Sequence, residues 1–261
     1  APLGSPARAN WRDLIPYREG VYVLDVELYA GHMVRLERAN ALPAIIIRDL
    51  KTGEEHAIAF DEAAYSLDTM GGYEFDTTNL RFAYSSMTTP SEVYDYDMAT
   101  RTRVLRKRQE IPSGHNPADY VTTRIMATSH DGAQVPVSIL HRKDFVRDGK
   151  APLLLYGYGS YGMAMPASFA ANRLSLVDRG FVYAIAHIRG GADKGWGWYL
   201  DGKREKKTNT FDDFAAAGRA LCDANYTGEK RIVGHGGSAG GMLMGAVANR
   251  AGDLFAGIVA E

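Results

Sequence analysis

The sequence predicts two successive regions: short antiparallel strands first, then a mostly parallel sheet covered by helices. Three observations support this order. Short β-type runs separated by turns fill residues 20–110, and residues 111–117 (Ile-Pro-Ser-Gly-His-Asn-Pro) break the composition. After that break, strands alternate with helical segments, a pattern typical of parallel sheets. We therefore predict one domain over residues 1–116 and a second over residues 117–261.

The composition is that of an ordinary globular protein. The chain has 261 residues, of which 46% are hydrophobic and 23% are charged, and its formal net charge is −1. This balance gives no general attraction to nucleic acid or to an anionic membrane. One cysteine, Cys222, excludes an internal disulfide framework and cysteine-based metal sites. No apolar run is long enough to span a membrane and no signal peptide opens the sequence, so we expect a cytoplasmic protein.

Several runs in the first region have the period of β-strands. Apolar and polar residues alternate over residues 20–29, 33–38 and 80–84. Residues 44–47 are all apolar, which predicts a strand that is buried on both faces. The eight residues from Arg101 to Arg108 hold five basic side chains, but no aromatic residue lies among them, so we expect a solvated edge strand and no nucleic-acid partner.

A weak internal repeat runs through the same region. A strand that ends at Asp49 and continues into a turn with Thr52 has a counterpart that ends at Asp97 and continues into a turn with Thr100. The offset is 48 residues, from 49 to 97. Four strands at such a spacing are typical of a β-propeller blade, but two blades cannot close a propeller. From the repeat alone, a plain antiparallel meander is equally well supported.

The second region begins with a predicted hairpin and continues with alternating elements. The hairpin pairs residues 121–128 with 135–140 across His130-Asp131-Gly132. Helices are predicted over residues 169–178, from Thr210, and over 239–250. Thr210 and Asp213 have the spacing of a capping box, and the apolar face of that helix comprises Phe211, Phe214, Leu221 and Cys222. Strands are predicted over residues 152–156, 181–186, 231–233 and 254–259.

The most informative stretch is the glycine-rich turn between the third of these strands and the last helix. Residues 236–240 (Gly-Gly-Ser-Ala-Gly) fit G-x-S-x-G, the strand-to-helix elbow that exposes a serine nucleophile. Glycines two residues on either side of the serine remove side chains that would collide at so sharp a turn. Ser238 is therefore the candidate nucleophile, and the amide of Ala239, at the helix N-terminus, is a candidate oxyanion donor.

Two other interpretations of this turn compete with the elbow. Gly234, Gly236 and Ala239 formally match the dinucleotide-binding pattern G-x-G-x-x-A. That pattern belongs on the first strand of its domain and needs an acidic residue at the end of a second strand, whereas Asp253 precedes the next apolar run. The third interpretation is an ordinary glycine turn.

Several motifs together resemble the prolyl oligopeptidase family of serine peptidases. The stretches at residues 156–161 (Tyr-Gly-Tyr-Gly-Ser-Tyr), 187–191, 207–213 and 236–241 occur in the order found in that family, and the oligopeptidase B branch is the most similar. Residues 82–97 resemble the last propeller blades of that branch. The resemblance implies an α/β hydrolase domain, a mostly parallel sheet with flanking helices, preceded by β-propeller blades. It implies no cofactor and no metal.

The resemblance also implies roles for individual residues. Ser238 matches the acylated nucleophile, and the hydroxyl of Tyr158 matches the group that completes the oxyanion hole with the Ala239 amide. Tyr161 matches an aromatic wall of the primary specificity pocket. The implied substrates are short peptides cleaved after Arg or Lys. Pro166 and Ser168 stand where members that prefer paired basic residues carry acidic side chains, so a dibasic preference is not implied.

A general base for Ser238 is not evident. An enzyme of this fold supplies its triad in the order Ser, Asp, His, but all seven histidines precede Ser238. His235 lies on the approach to the elbow and is expected to have a structural role. His187 ends a neighbouring strand at the same sheet edge and is the better internal candidate for the base, although a histidine there more often caps the strand end with a satisfied hydrogen bond. We therefore expect both domains to be truncated, with the Asp and His beyond Glu261. Two hypotheses follow: a serine oligopeptidase as the parent protein, or a catalytically incomplete fragment or binding module.

Overall fold

The computed structural model describes residues 1–261 and contains three β-sheets. The first two sheets are four-stranded and antiparallel, with the strands in chain order. The first sheet comprises β1 (Val21–Leu28), β2 (His32–Ala39), β3 (Leu42–Asp49) and β4 (Glu55–Ala57). The second comprises β5 (Tyr65–Thr69), β6 (Asn79–Ser86), β7 (Glu92–Asp97) and β8 (Thr102–Arg108). A short 3-10 turn, Arg8–Asn10, precedes them.

The internal repeat corresponds to a repeated local structure. Asp49 ends β3 and its Oδ1 accepts the amides of Lys51 and Thr52, at 2.7 and 2.8 Å. Asp97 ends β7 and its Oδ1 accepts the amides of Ala99 and Thr100, at 2.9 and 2.7 Å. The same turn therefore follows the third strand of each sheet, as expected of two consecutive blades.

One prediction for the first region is wrong. Residues 44–47 do not form a strand that is buried on both faces: Ile45 and Ile47 are fully buried, whereas Ala44 and Ile46 are only partly covered. The buried pair faces the second sheet, and residues of both sheets form one apolar cluster with Leu80 and Phe82. An apolar run has the same appearance in a sequence whether one or both of its faces are covered.

The basic run lies on β8, an edge strand whose residues are all exposed. Acidic side chains of the neighbouring strand β7 face it. Arg106 pairs with Asp95 at 2.7 Å and Arg108 pairs with Glu92 at 2.6 Å. The positive charge of this edge is thus locally balanced.

The third sheet has six strands: β9 (Tyr120–Thr128), β10 (Gln134–Arg142), β11 (Leu153–Tyr156), β12 (Val182–Ala186), β13 (Ile232–Gly236) and β14 (Phe255–Ala260). Their order in the sheet is β14-β13-β11-β12-β10-β9. The hairpin strands β9 and β10 pair antiparallel, β10 pairs antiparallel with β12, and the remaining pairs are parallel. The helices are α1 (Ala171–Val177), α2 (Trp196–Leu200), α3 (Thr208–Asp223) and α4 (Ala239–Ala251), with 3-10 turns at Pro117–Asp119 and Arg204–Lys206. The longest helix, α3, has 16 residues, and none of the helices could span a membrane.

The start of α3 differs from the prediction. The helix begins at Thr208, and Thr210 and Asp213 do not form a capping box. Both side chains are fully buried: the Thr210 hydroxyl donates to the carbonyl of Arg189 at 2.9 Å, and Asp213 accepts from the Arg189 guanidinium. Two polar side chains at cap spacing thus tie the helix to a neighbouring loop. The predicted apolar face is present, with Phe214 and Leu221 in the core and Phe211 and Cys222 partly buried.

The two regions pack directly on each other. Ala64 and Met87 of the first region share a buried cluster with residues of β10, α1 and β12. The amide of Ala41 donates to the carbonyl of Asp193 at 2.7 Å, and the amide of Phe169 donates to Ser85 Oγ at 3.0 Å. The predicted boundary between the two domains, residues 116/117, lies in the segment between β8 and β9. This boundary stays a prediction.

Candidate active site

Ser238 lies on a sharp turn between β13 and α4, at the edge of the sheet where the parallel strands end. Its backbone has φ 56° and ψ −117°, a conformation that residues other than glycine rarely adopt. The residue is exposed to solvent, and its side chain makes no hydrogen bond within the protein. Strained backbone of this kind persists only where the surrounding structure holds it, and it is frequent at functional sites.

The glycines on either side of Ser238 allow the turn to close. A Cβ atom on Gly236 would lie 2.6 Å from the carbonyl oxygen of Gly240 and 2.9 Å from that of Gly157. A Cβ atom on Gly240 would also lie 2.9 Å from the Gly157 oxygen. These distances are below real Cβ contacts, so side chains at either position would force the backbone apart. The glycine spacing therefore has a steric cause.

The two backbone amides at the elbow, those of Ser238 and Ala239, differ in whether they have an acceptor within the protein. The Ser238 amide donates to the carbonyl of Glu261 at 2.7 Å, which fastens the turn to the end of β14. The Ala239 amide, at the first position of α4, donates to no protein acceptor. Because the first N–H groups of a helix carry partial positive charge, this amide is suited to bind a developing oxyanion.

Tyr158 and Tyr161 lie on the loop that follows β11, beside the elbow. Cδ2 of Tyr158 is 3.6 Å from the place where a Cβ of Gly240 would stand, so its ring covers the first turn of α4. Tyr161 is 75% exposed and has φ 59°, so it too has a left-handed backbone. The two ring centroids are 6.5 Å apart. An aromatic surface therefore borders the serine.

Neither of the two candidate histidines lies where it could activate Ser238. His235 packs edge-on against Tyr156, with ring centroids 5.3 Å apart, and lines a cavity on the α1 face of the sheet together with Arg173. Its Nε2 is 3.6 Å from Glu261 Oε1, longer than a hydrogen bond. His235 makes no hydrogen bond to Ser238, which lies three residues on, beyond the end of β13 at Gly236.

His187 belongs to a separate, buried hydrogen-bonded chain. Its Nε2 lies 2.8 Å from Ser138 Oγ, and its Nδ1 lies 3.0 Å from Asp193 Oδ1. All three residues are no more than 2% exposed, so the Ser, His and Asp are sealed from solvent and from substrate. Both ring nitrogens are occupied. The interpretation of His187 as a satisfied strand-end residue is therefore correct, and the sequence alone did not indicate its two partners.

Two cationic side chains behind the site were missed at the sequence level. Arg189 is buried and pairs with Asp213 at 2.6 Å and with Asp131 of the β9–β10 turn. Lys207 reaches the tyrosine loop and donates to the carbonyl of Gly159 and to Ser160 Oγ. Both lie within the motif stretches at residues 187–191 and 207–213, which was the available signal.

The dinucleotide interpretation does not fit this geometry. Gly234, the first glycine of that pattern, lies inside β13 instead of in the turn. A Cβ atom there would meet Ile258 Cδ1 at 3.0 Å and Met244 Sδ at 3.1 Å, so this glycine allows helix and strand to pack closely. No group of three or more His, Cys, Asp or Glu side chains in residues 1–261 could hold a metal ion.

Comparison with known proteins gives two family matches that together cover most of the chain. Residues 167–261 match the prolyl oligopeptidase family, and residues 1–109 match the N-terminal β-propeller domain of prolyl oligopeptidase. The second match confirms the propeller interpretation of the repeat over the plain meander.

Individual relatives agree with these matches. The chain is 44% identical to dipeptidyl aminopeptidase BI of Pseudoxanthomonas mexicana, over 98% of this chain and 35% of the relative. It is 35% identical to Protease 2 of Moraxella lacunata, over 95% of this chain and 36% of the relative. The structure of oligopeptidase B from Trypanosoma brucei with covalently bound antipain superposes with a TM-score of 0.86 at 35% identity, over 94% of this chain and 36% of that chain. The 261 residues thus span about a third of the length of the relatives they match.

Proposed function

Because the chain belongs to the prolyl oligopeptidase family, we propose that the whole protein is a serine oligopeptidase that cleaves short peptides after Arg or Lys. The observation that carries the proposal is the strained, exposed Ser238 between an unpaired helix amide and the ring of Tyr158. Members of the family are serine peptidases, and an exposed serine on an elbow is the arrangement that such chemistry requires.

The proposed reaction proceeds through an acyl-enzyme. Ser238 Oγ attacks the scissile carbonyl carbon, and its proton passes to a general base. The new oxyanion accepts hydrogen bonds from the Ala239 amide and the Tyr158 hydroxyl. The C–N bond then breaks, the amine leaves with the transferred proton, and water hydrolyses the ester to release the acid. We propose that the base and its orienting carboxylate lie in parts of the protein outside these 261 residues, since no histidine here forms a hydrogen bond with Ser238.

We propose that the exposed ring of Tyr161 binds the basic side chain of the substrate and so produces the preference for Arg or Lys. A guanidinium or ammonium group is attracted to the face of a tyrosine, and the stem of Arg or Lys packs on the same surface. Pro166 is exposed on the same loop, and Ser168 follows it, so this loop offers no carboxylate at those positions for a second basic residue. We therefore propose a preference for single basic residues over paired ones.

The test uses the full-length protein with matched substrates that carry the same fluorogenic amide. We expect cleavage of an N-blocked Arg amide, weaker cleavage of a Pro amide, and loss of activity in Ser238→Ala by at least about 10⁴-fold in kcat/KM. Ser91→Ala, which removes an exposed serine in the first region, is the control and should be fully active. Hydrolysis of small esters with no cleavage of Arg amides would show an esterase instead.

A second candidate function is the release of dipeptides from a free N-terminus. It is favoured by the 44% identity to the dipeptidyl aminopeptidase, although only a third of that relative is covered. The same amide assay separates the two functions. A dipeptidyl-Arg amide with a free amine that is cleaved much faster than its N-blocked form would identify the aminopeptidase activity.

For the 261 residues taken alone, we propose no catalysis. Without a base, a serine hydroxyl is a poor nucleophile near neutral pH. We expect a fluorophosphonate probe to label Ser238 stoichiometrically in the full-length protein and not in the isolated 261-residue chain. Equal labelling of both would contradict this proposal.

A further inference from the structure

We infer that Lys207 is a positioning residue for the reaction, which fixes the loop that carries Tyr158 beside Ser238. The inference rests on the proposed function, because it assigns Lys207 a role through the oxyanion donor. Lys207 itself forms no hydrogen bond with Ser238. It acts on the peptide group between Gly159 and Ser160, one residue beyond Tyr158.

The loop between Gly157 and Gly162 has few backbone hydrogen bonds of its own. Gly157 donates to the carbonyl of His235 at 3.1 Å, and Gly162 donates to the carbonyl of Gly190 at 2.9 Å. Between these two anchors, the amides of residues 158–161 donate to no backbone carbonyl. The position of Tyr158 therefore depends on what holds the loop from the side.

Lys207 supplies that support. From its place just before α3, its Nζ donates to the carbonyl oxygen of Gly159 and, at 2.9 Å, to Ser160 Oγ. No other hydrogen bond reaches the Gly159 carbonyl. One ammonium group thus holds two consecutive residues of the loop, 48 residues away in the sequence.

Gly159 is also closely packed, against the backbone of Gly190 and against the side chain of Thr210. A Cβ atom on Gly190 would lie 2.0 Å from the Gly159 oxygen, so that oxygen rests on the bare backbone of Gly190. A Cβ atom on Gly159 would lie 2.4 Å from Thr210 Cγ2. Gly159 also has φ 68°, a conformation suited to glycine. The carbonyl is therefore seated in one place, and Lys207 is the donor that reaches it there.

The charge of Lys207 is held without an acidic partner. It makes no ion pair, and burial lowers the pKa of its ammonium below the ordinary value. The carboxylates on the elements around it have other partners: Asp213 and Asp131 pair with Arg189, and Asp201 pairs with Lys206. A half-buried ammonium that donates only to neutral oxygens is costly, which favours a role in positioning over one in stability.

Loss of this ammonium would leave the Gly159 oxygen buried without a donor. The loop would then shift to recover a partner, and the Tyr158 hydroxyl would move with it. A displacement of about 1 Å at a catalytic group can cost on the order of 10²-fold in rate. Binding of the substrate on Tyr161 would be affected less, since that residue is separately anchored through Gly162.

The test compares Lys207→Met with Lys206→Met in the full-length protein, with Tyr158→Phe and Ser238→Ala as references. Lys206 is the adjacent lysine, exposed and paired with Asp201 at 2.6 Å, so its variant is the matched control. We expect Lys207→Met to lower kcat by about 10- to 100-fold with KM changed by less than about threefold. Lys206→Met should match the wild type. Lys207→Arg, which keeps a donor and a charge, should recover part of the loss.

The double variant Lys207→Met, Tyr158→Phe distinguishes positioning from general destabilisation. If Lys207 acts through Tyr158, the double variant should be no slower than Tyr158→Phe alone. Losses that multiply, or a Lys207→Met protein with wild-type kcat, would overturn the inference. A protein whose peptidase activity survives Ser238→Ala would instead overturn the proposed function, and this inference with it.

Discussion

The Cα of Gly236 faces the carbonyl oxygen of Gly240 across the elbow so closely that a Cβ atom on Gly236 would lie 2.6 Å from it. The neighbouring Gly237 has no such constraint, because the nearest atom to its Cβ would be in Glu261 at 3.8 Å. The two adjacent glycines thus differ in whether a side chain would fit: one at Gly236 would clash with backbone, and one at Gly237 would not. The motif requires the first of them and not the second.

We predict that Gly236→Ala and Gly237→Ala have very different effects in the full-length protein. Gly236→Ala should destabilise the fold by about 1–3 kcal/mol, the usual cost of forcing extra atoms into a packed site, and should abolish labelling of Ser238 by a fluorophosphonate. Gly237→Ala should stay within about 0.5 kcal/mol of the wild type and should be labelled. Urea unfolding and intact-mass labelling measure the two effects. Equal labelling of both variants would mean that the elbow is not sterically held.

The hydroxyl of Tyr158 gives a second prediction. Tyr158→Phe should lower kcat by about 10²- to 10³-fold with little change in KM, the usual effect of removing one oxyanion donor. Tyr156→Phe is the matched control, since Tyr156 lies on the preceding strand and its hydroxyl makes no hydrogen bond. A Tyr158→Phe enzyme with normal kcat would exclude the hydroxyl from the oxyanion hole.

The elements and the elbow were predictable because each leaves a local pattern. The alternation of apolar and polar residues predicted β1, β2 and β6. The glycine spacing around Ser238 predicted the turn, because the steric limits of a sharp turn act on residues that are close in the sequence. The repeated Asp-containing turn alone supported two blades and a plain antiparallel meander equally. The family resemblance then supported the blades.

The corrections came from contacts between segments distant in the sequence. Thr210 and Asp213 have cap spacing, but the guanidinium and carbonyl of Arg189 bind both side chains. Lys207 donates to the backbone carbonyl of Gly159. Every residue type has such a carbonyl, so the sequence does not identify the acceptor. The partners of His187 come from β10 and the loop after β12. No periodicity or spacing encodes such contacts.

The buried chain of Ser138, His187 and Asp193 predicts a structural role for its histidine. His187→Ala should lower the free energy of unfolding by about 1–3 kcal/mol, because the Ser138 hydroxyl and the Asp193 carboxylate lose their partner. The apparent pKa values of the kcat/KM profile should stay as in the wild type, since a residue that is 2% exposed cannot exchange protons with substrate. A missing limb in that profile would identify His187 as the base after all.

The ion pair of Arg189 with Asp131 predicts a stability change in acid. Hydrogen bonding to Arg189 lowers the pKa of the Asp131 carboxyl to about 2 from its ordinary value of 3.8. A depressed pKa means that the folded state favours the charged form, so the stabilisation is complete above about pH 5 and is lost as the pH falls toward 2.

Asp131→Asn removes this contribution at every pH. The variant should be less stable than the wild type at pH 5 to 7, and the difference in urea midpoint should shrink steadily between pH 4 and pH 2. Asp253→Asn, which removes an exposed carboxylate with no side-chain hydrogen bond, should show no such convergence. A difference for Asp131→Asn that stays constant down to pH 2 would show that Arg189 does not hold the ionised carboxylate, and that Asp213 alone fixes the guanidinium behind the site.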